Sequence, residues 1–124
     1  MELVNYDAQT KEYTLKMSEQ EYLDTVKFAQ EVYATADRQD LTALGVYTKK
    51  RVMEVITALK NQKPPTQGEY TLHLAQQDFL DTFDMMDIEA LYYFSVPELT
   101  KERVRELKTS LRNILRKDLG KPPL

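Results

Sequence analysis

This sequence predicts an α+β fold, mostly helical, with a small antiparallel sheet packed on four helices. Three observations predict it. Glu12–Val26, EYTLKMSEQEYLDTV, returns as EYTLHLAQQDFLDTF at Glu69–Phe83, with eight of fifteen positions identical. Thr48–Asn61, TKKRVMEVITALKN, returns as TKERVRELKTSLRN at Thr100–Asn113, with eight of fourteen identical. Within each copy the apolar spacing also changes, from alternation to steps of three and four, which marks a strand followed by helices. The unit is therefore strand–helix–helix, used twice, with the segment between the two blocks five residues shorter in the second copy. We read residues 1–124 as one domain with pseudo-two-fold symmetry. Unit one spans 12–61 and unit two 69–117, with a short linker at 62–68. A unit of about 60 residues is marginal alone, so the copies are expected to share a core.

The elements follow in order. Glu2–Tyr6 is an added first strand without a counterpart in the second copy. Asp7–Lys11 is a polar five-residue loop, and Glu12–Met17 places Tyr13, Leu15 and Met17 on one face with Glu12, Thr14 and Lys16 on the other. Ser18-Glu19-Gln20-Glu21 is a capping box, with a hydroxyl and a carboxylate each serving the other's backbone amide. The helix it starts carries an apolar stripe of Tyr22, Val26, Ala29, Tyr33 and Ala36, widened by Leu23 and Val32, and ends near Asp37. Asp40–Tyr47 connects it to a second helix, capped by Thr48, that buries Val52, Val55, Ile56 and Leu59. Pro64-Pro65 and Gly68 break the chain before the third strand, Glu69–Leu74, whose apolar face holds Tyr70, Leu72 and Leu74. Ala75 stands where Ser18 stands in the first copy, so the third helix starts without that cap. This helix runs to about Tyr93 with Phe79, Leu80, Phe83, Met86, Ile88 and Leu91 inward. After a break at Ser95–Glu98, the last helix begins at Glu98 or Lys101 and runs to about Lys117. It buries Val104, Leu107, Leu111, Ile114 and Leu115, and Gly120 and Pro122-Pro123 end it.

Composition bounds function by exclusion. The chain is 42% hydrophobic and 30% charged, with a formal charge of −3, so it has no global attraction to nucleic acid or anionic lipid. With no cysteine, disulfides, thiolate metal sites and thiol nucleophiles are excluded, which fits a cytoplasmic protein. The first residues lack a basic region and an apolar run, so no signal peptide is expected, and no apolar stretch is long enough for a membrane span. His73 is the only histidine, and no nucleophile elbow or glycine-rich phosphate loop accompanies it. Asp78, Asp81, Asp84 and Asp87 recur every three residues, a spacing that drifts around a helix and cannot converge on one cation. No catalytic residue, metal site or cofactor is therefore expected.

Two surfaces remain. Lys101, Arg105, Lys108, Arg112 and Arg116 line one face of the last helix, and residues 101–121 hold eight basic and three acidic groups. Tyr92, Tyr93 and Phe94 stand in a row beside it and cannot all face one core; exposed aromatics are frequent hot spots. These eight residues are the expected partner-binding set of a non-enzymatic protein–protein interaction module, a small inhibitor or adaptor, monomeric or homodimeric. The alternative surface is the polar strand face. Strand–helix–helix with outward polar strand residues resembles the ribbon-helix-helix DNA-binding family. That resemblance implies a ribbon in the major groove, with Thr14, Lys16, Thr71 and His73 as the base-reading residues.

Overall fold

The computed structural model describes residues 1–35, 48–92 and 99–120, and the side chains within them apart from Thr35 and residues 88–92. Among the described residues, three strands and four helices follow one another in the order β1 (Glu2–Asp7), β2 (Glu12–Ser18), α1 (Glu19–Thr35), α2 (Lys49–Lys60), β3 (Glu69–Ala75), α3 (Gln76–Tyr92) and α4 (Lys101–Asp118). The sheet is antiparallel in the order β1-β2-β3, which puts β2 in the centre. Its inner face buries Tyr13, Leu15, Met17, Leu72 and Leu74 against the helices. Leu15 lies directly opposite Leu72, with Thr14 opposite His73 and Lys16 opposite Thr71. One buried cluster draws side chains from β2, β3 and all four helices.

The two helix starts differ as their cap residues do. At α1 the Ser18 hydroxyl accepts from the Glu21 amide at 3.0 Å, and the Ser18 amide donates to Glu21 Oε1 at 2.8 Å, which completes the capping box. Glu19 also donates its amide to the Gly68 carbonyl at 2.9 Å, and Gln76 at the start of α3 donates to the Lys11 carbonyl at 2.8 Å. Each of these helices thus begins on the carbonyl of a residue just before a strand. Both residues have positive φ, 74° at Gly68 and 55° at Lys11. Gln67 is positive as well, so Gln67-Gly68 turns the chain as a two-residue loop closed by the Thr66–Glu69 bonds at 2.9 and 3.1 Å. Restoring a cap by Ala75→Ser is expected to stabilise the protein by about 0.5–1 kcal/mol, and Ser18→Ala to cost about 1 kcal/mol. Urea unfolding checks both.

The sheet's edges are covered or irregular. At β3 the Gln62 side chain pairs with the His73 backbone, accepting its N–H at 3.0 Å and donating to its carbonyl at 3.1 Å, so an amide group stands in for a fourth strand. The register of β1 shifts between Leu3 and Asn5, and Val4 is exposed. The turn from β1 to β2 holds four residues, 8–11, because β1 extends to Asp7.

Aromatic rings tie the strands to the helices. Tyr6, Tyr13 and Phe79 form a column with successive centroids 4.6 Å apart, while Tyr22 stacks on Tyr70 at 3.8 Å and donates its hydroxyl to the Leu59 carbonyl. Tyr13 donates to Asp118 at the end of α4, at 3.1 Å. Burial, then the Asp118 carboxylate, pushes the Tyr13 phenol up to about 12. The unfolded phenol ionises near 10, so the folded state holds this proton more tightly, and the resulting stability is complete below pH 10 and lost between pH 10 and 12. In an alkaline titration, Tyr13→Phe is expected to flatten the fall in stability across that window.

Three helix-face expectations need correction. Leu23 is 46% exposed, whereas Phe28, left outside the stripe, is fully buried. On α3, Leu80 and Phe83 are only partly buried, and Met85 is inside with Met86. On α4, Leu115 is partly buried. The cause is that α1 and α3 touch the sheet, a neighbouring helix and each other, so their buried arc is wider and rotated relative to a single stripe. The α2 face is as expected, and α4 starts at Lys101 with Thr100 as its cap. Ala36, Asp37, the Asp40–Tyr47 connector, Tyr93, the Ser95–Glu98 break and Pro122-Pro123 lie outside the described residues, as do the side chains of Ile88 and Leu91.

Candidate functional site

The basic face of α4 is set against α3. Lys108 Nζ lies 3.4 Å and Arg112 Nη2 3.8 Å from Asp87 Oδ1, and the Arg112 guanidinium sits over the Phe83 ring at 5.7 Å. Lys108 and Arg112 thus converge on one carboxylate. Lys101 and Arg105 are exposed, and Arg116 is partly buried. The acidic helix does not present all its aspartates to this face: Asp78 and Asp81 turn instead to α2. Spacing by three around a 3.6-residue turn explains the divergence. Among the described residues, no group of three or more His, Asp or Glu side chains is placed to hold a metal ion. Tyr93 and Phe94 lie outside the described residues, and Tyr92 is described only in its backbone, as the last residue of α3.

The alternative surface is the outer face of the sheet. Lys16, Thr71 and His73 are exposed there and Thr14 is partly so. Thr14 Oγ1 and His73 Nδ1 are 3.2 Å apart. Each basic group has an acidic neighbour: Lys16 Nζ is 3.9 Å from Glu69, and His73 Nδ1 is 3.7 Å from Glu12. The face that would meet a phosphate backbone therefore carries its own carboxylates, and β1 extends it to three strands. No described helix is long and apolar enough to cross a membrane.

Sequence reasoning missed a pair of ionic clamps. Arg51 Nε donates to Asp81 Oδ2 at 2.7 Å and its Nη2 to Asp78 at 2.9 Å. Arg103 Nε donates to Asp24 Oδ2 at 2.8 Å and its Nη1 to Glu106 at 3.1 Å. Gln77 donates to Asp81 and Gln20 to Asp24, so both buried carboxylates have further donors. Burial alone would lower the Arg51 guanidinium, but its bonds to Asp81 and Asp78 hold it above its ordinary value. The bond to Asp24 raises Arg103, against the pull of burial. A signal was available: Asp24/Asp81 and Arg51/Arg103 are identical at corresponding positions of the two echoes.

Comparison with known proteins adds no relative: no family model, curated protein or solved structure matches this chain.

Proposed function

We propose that this chain is a non-enzymatic protein–protein interaction module, a small inhibitor or adaptor acting in the cytoplasm. The observation that carries this reading is the α4 face, where exposed Lys101 and Arg105 continue a row that includes Lys108 and Arg112 beside Phe83. Cationic groups over an aromatic ring make a surface suited to an acidic partner, and they accelerate its approach more than they deepen affinity. Tyr92, Tyr93 and Phe94 belong to the proposed partner-binding set by their sequence alone. The test is capture of a partner from the native host by the chain and by its Arg105→Glu/Lys108→Glu/Arg112→Glu variant. The wild type is expected to retain a partner and the variant to lose it; equal capture by both removes α4 as the contact.

A second reading keeps the ribbon as a DNA-contacting surface, because Thr14, Lys16, Thr71 and His73 share the outer face of paired strands. The acidic neighbours of Lys16 and His73 speak against it, as does the net charge of −3. No gel shift of random or genomic DNA is expected at about 0.15 M salt, where the Debye length is about 8 Å. Sequence-selective submicromolar binding, weakened in its preference by Lys16→Ala and His73→Ala, would reverse the order of the two readings.

We also infer that the two strand–helix–helix segments are copies of one unit, related by a pseudo-two-fold axis near Leu15 and Leu72 within one domain. The antiparallel β2–β3 register supports this. So do the reciprocal clamps, in which Arg51 reaches Asp81 while Arg103 reaches Asp24. In a crystal structure, residues 12–61 superposed on 69–113 are expected to match strand to strand and helix to helix.

A further inference from the structure

The α1–α2 face differs from the α3–α4 face in a way that the echoes make explicit. On α4 the side facing α3 is closed by charge: Lys108 and Arg112 meet Asp87. At the corresponding positions of the first copy, Ile56 replaces Lys108, Lys60 replaces Arg112 and Gln30 replaces Asp87, while Met53 replaces Arg105. The carboxylate that gathers the basic groups in one half is thus absent from the other, and two of the basic positions have become apolar.

What the exchange leaves is an open groove. Two adjoining cavities of about 570 Å³ each share Tyr33, Met53 and Thr57, and Ile56 and Gln30 line one of them. Met53 is 41% exposed although it is apolar. Lys49 sits over the Tyr33 ring at 4.7 Å, and Lys50 and Lys60 are exposed at the two ends of α2. Among the described lining residues, Lys50 and Lys60 stand against one acidic residue, Glu54. An excess of positive charge around an apolar floor, in a chain of net charge −3, calls for carboxylates from outside.

We propose that this groove docks an amphipathic helix of a partner protein, with its apolar side on Tyr33, Met53 and Ile56 and its carboxylates on Lys50 and Lys60. The inference names a partner chemistry for the interaction reading above and rests on it, and it adds a contact on α2 to the one proposed on α4. The occupant is a helix because the groove runs along α2, whose twelve residues span about 18 Å, the length of about three turns of a helix laid beside it. A second copy of the chain is a poor occupant, because two such rims would oppose lysine to lysine. A basic partner is excluded by the same charges.

The test uses the full chain and two fluorescein-labelled peptides about three turns long. Both carry leucines at i, i+3, i+4 and i+7, one with glutamates and the other with lysines at the flanking positions. Fluorescence anisotropy is expected to show saturable binding of the acidic peptide and binding at least about tenfold weaker for the basic one. Met53→Glu, and separately Lys50→Glu/Lys60→Glu, are expected to weaken the acidic peptide at least about tenfold. All three groove positions are exposed, so these variants are expected to keep the wild-type circular dichroism spectrum. Equal affinity for both peptides, no saturable binding of the acidic one, or indifference to the groove substitutions would overturn the proposal. A host partner retained by Met53→Glu but lost on charge reversal of α4 would overturn it too, while leaving the interaction reading intact.

Discussion

Phe79→Ala is expected to lower the unfolding free energy by about 3–5 kcal/mol. The ring is fully buried and packs at a tilt against Tyr13, which in turn packs against Tyr6, so its removal opens a cavity at the junction of α3 with the sheet. At about 3–5 °C per kcal/mol for a chain of this size, the melting temperature should fall by about 10 °C or more. Leu80→Ala, one residue along, is expected to cost only about 1–2 kcal/mol, because Leu80 is partly buried. The contrast between neighbours tests the rotation of the α3 face. Equal losses at both positions would mean that the helix is set about its axis as the simple stripe predicts.

The second large effect is expected at Arg51. Replacing it with methionine leaves the Asp81 carboxylate buried without its cation, and a broken buried pair of this kind costs about 3–5 kcal/mol. Chemical denaturation of Arg51→Met, Asp81→Asn and the double variant measures the coupling, which is expected to exceed about 1 kcal/mol. Arg103→Met should cost less. Arg51 has two shielded partners, Asp78 and Asp81, whereas the second partner of Arg103, Glu106, is 65% exposed and screened by water. If the two single variants and the double variant at Arg51 and Asp81 prove additive, the clamp is not an energetic unit.

The strands and the ends of the helices were legible in the sequence because their causes are local. Alternation placed Tyr13, Leu15 and Met17 on the inner face, and the Ser18–Glu21 box and the Thr48 cap set two helix starts, while the Thr100 cap of α4 emerged only from the structure. α2 was legible for the same reason, since it buries a single stripe, and so was α4 apart from Leu115. The helices that touch several neighbours were less so: nothing local makes Phe28 inner and Leu23 outer, and only the packing of α1 between sheet and helices decides it.

The same division holds for the surfaces. The sequence by itself determined where charge and aromatic residues lie along the chain, because spacing maps directly onto a helix face. Which charges neutralise one another was decided by tertiary structure. Asp78 and Asp81 are near Asp87 in sequence, yet they meet Arg51 of α2 while Asp87 meets Lys108 and Arg112 of α4. Coulomb energy depends on separations of a few ångströms, and those separations exist only once the helices have packed. The groove beside Met53 has the same origin: the residues that form it are ordinary in sequence, and its apolar floor exists only where α1 and α2 meet.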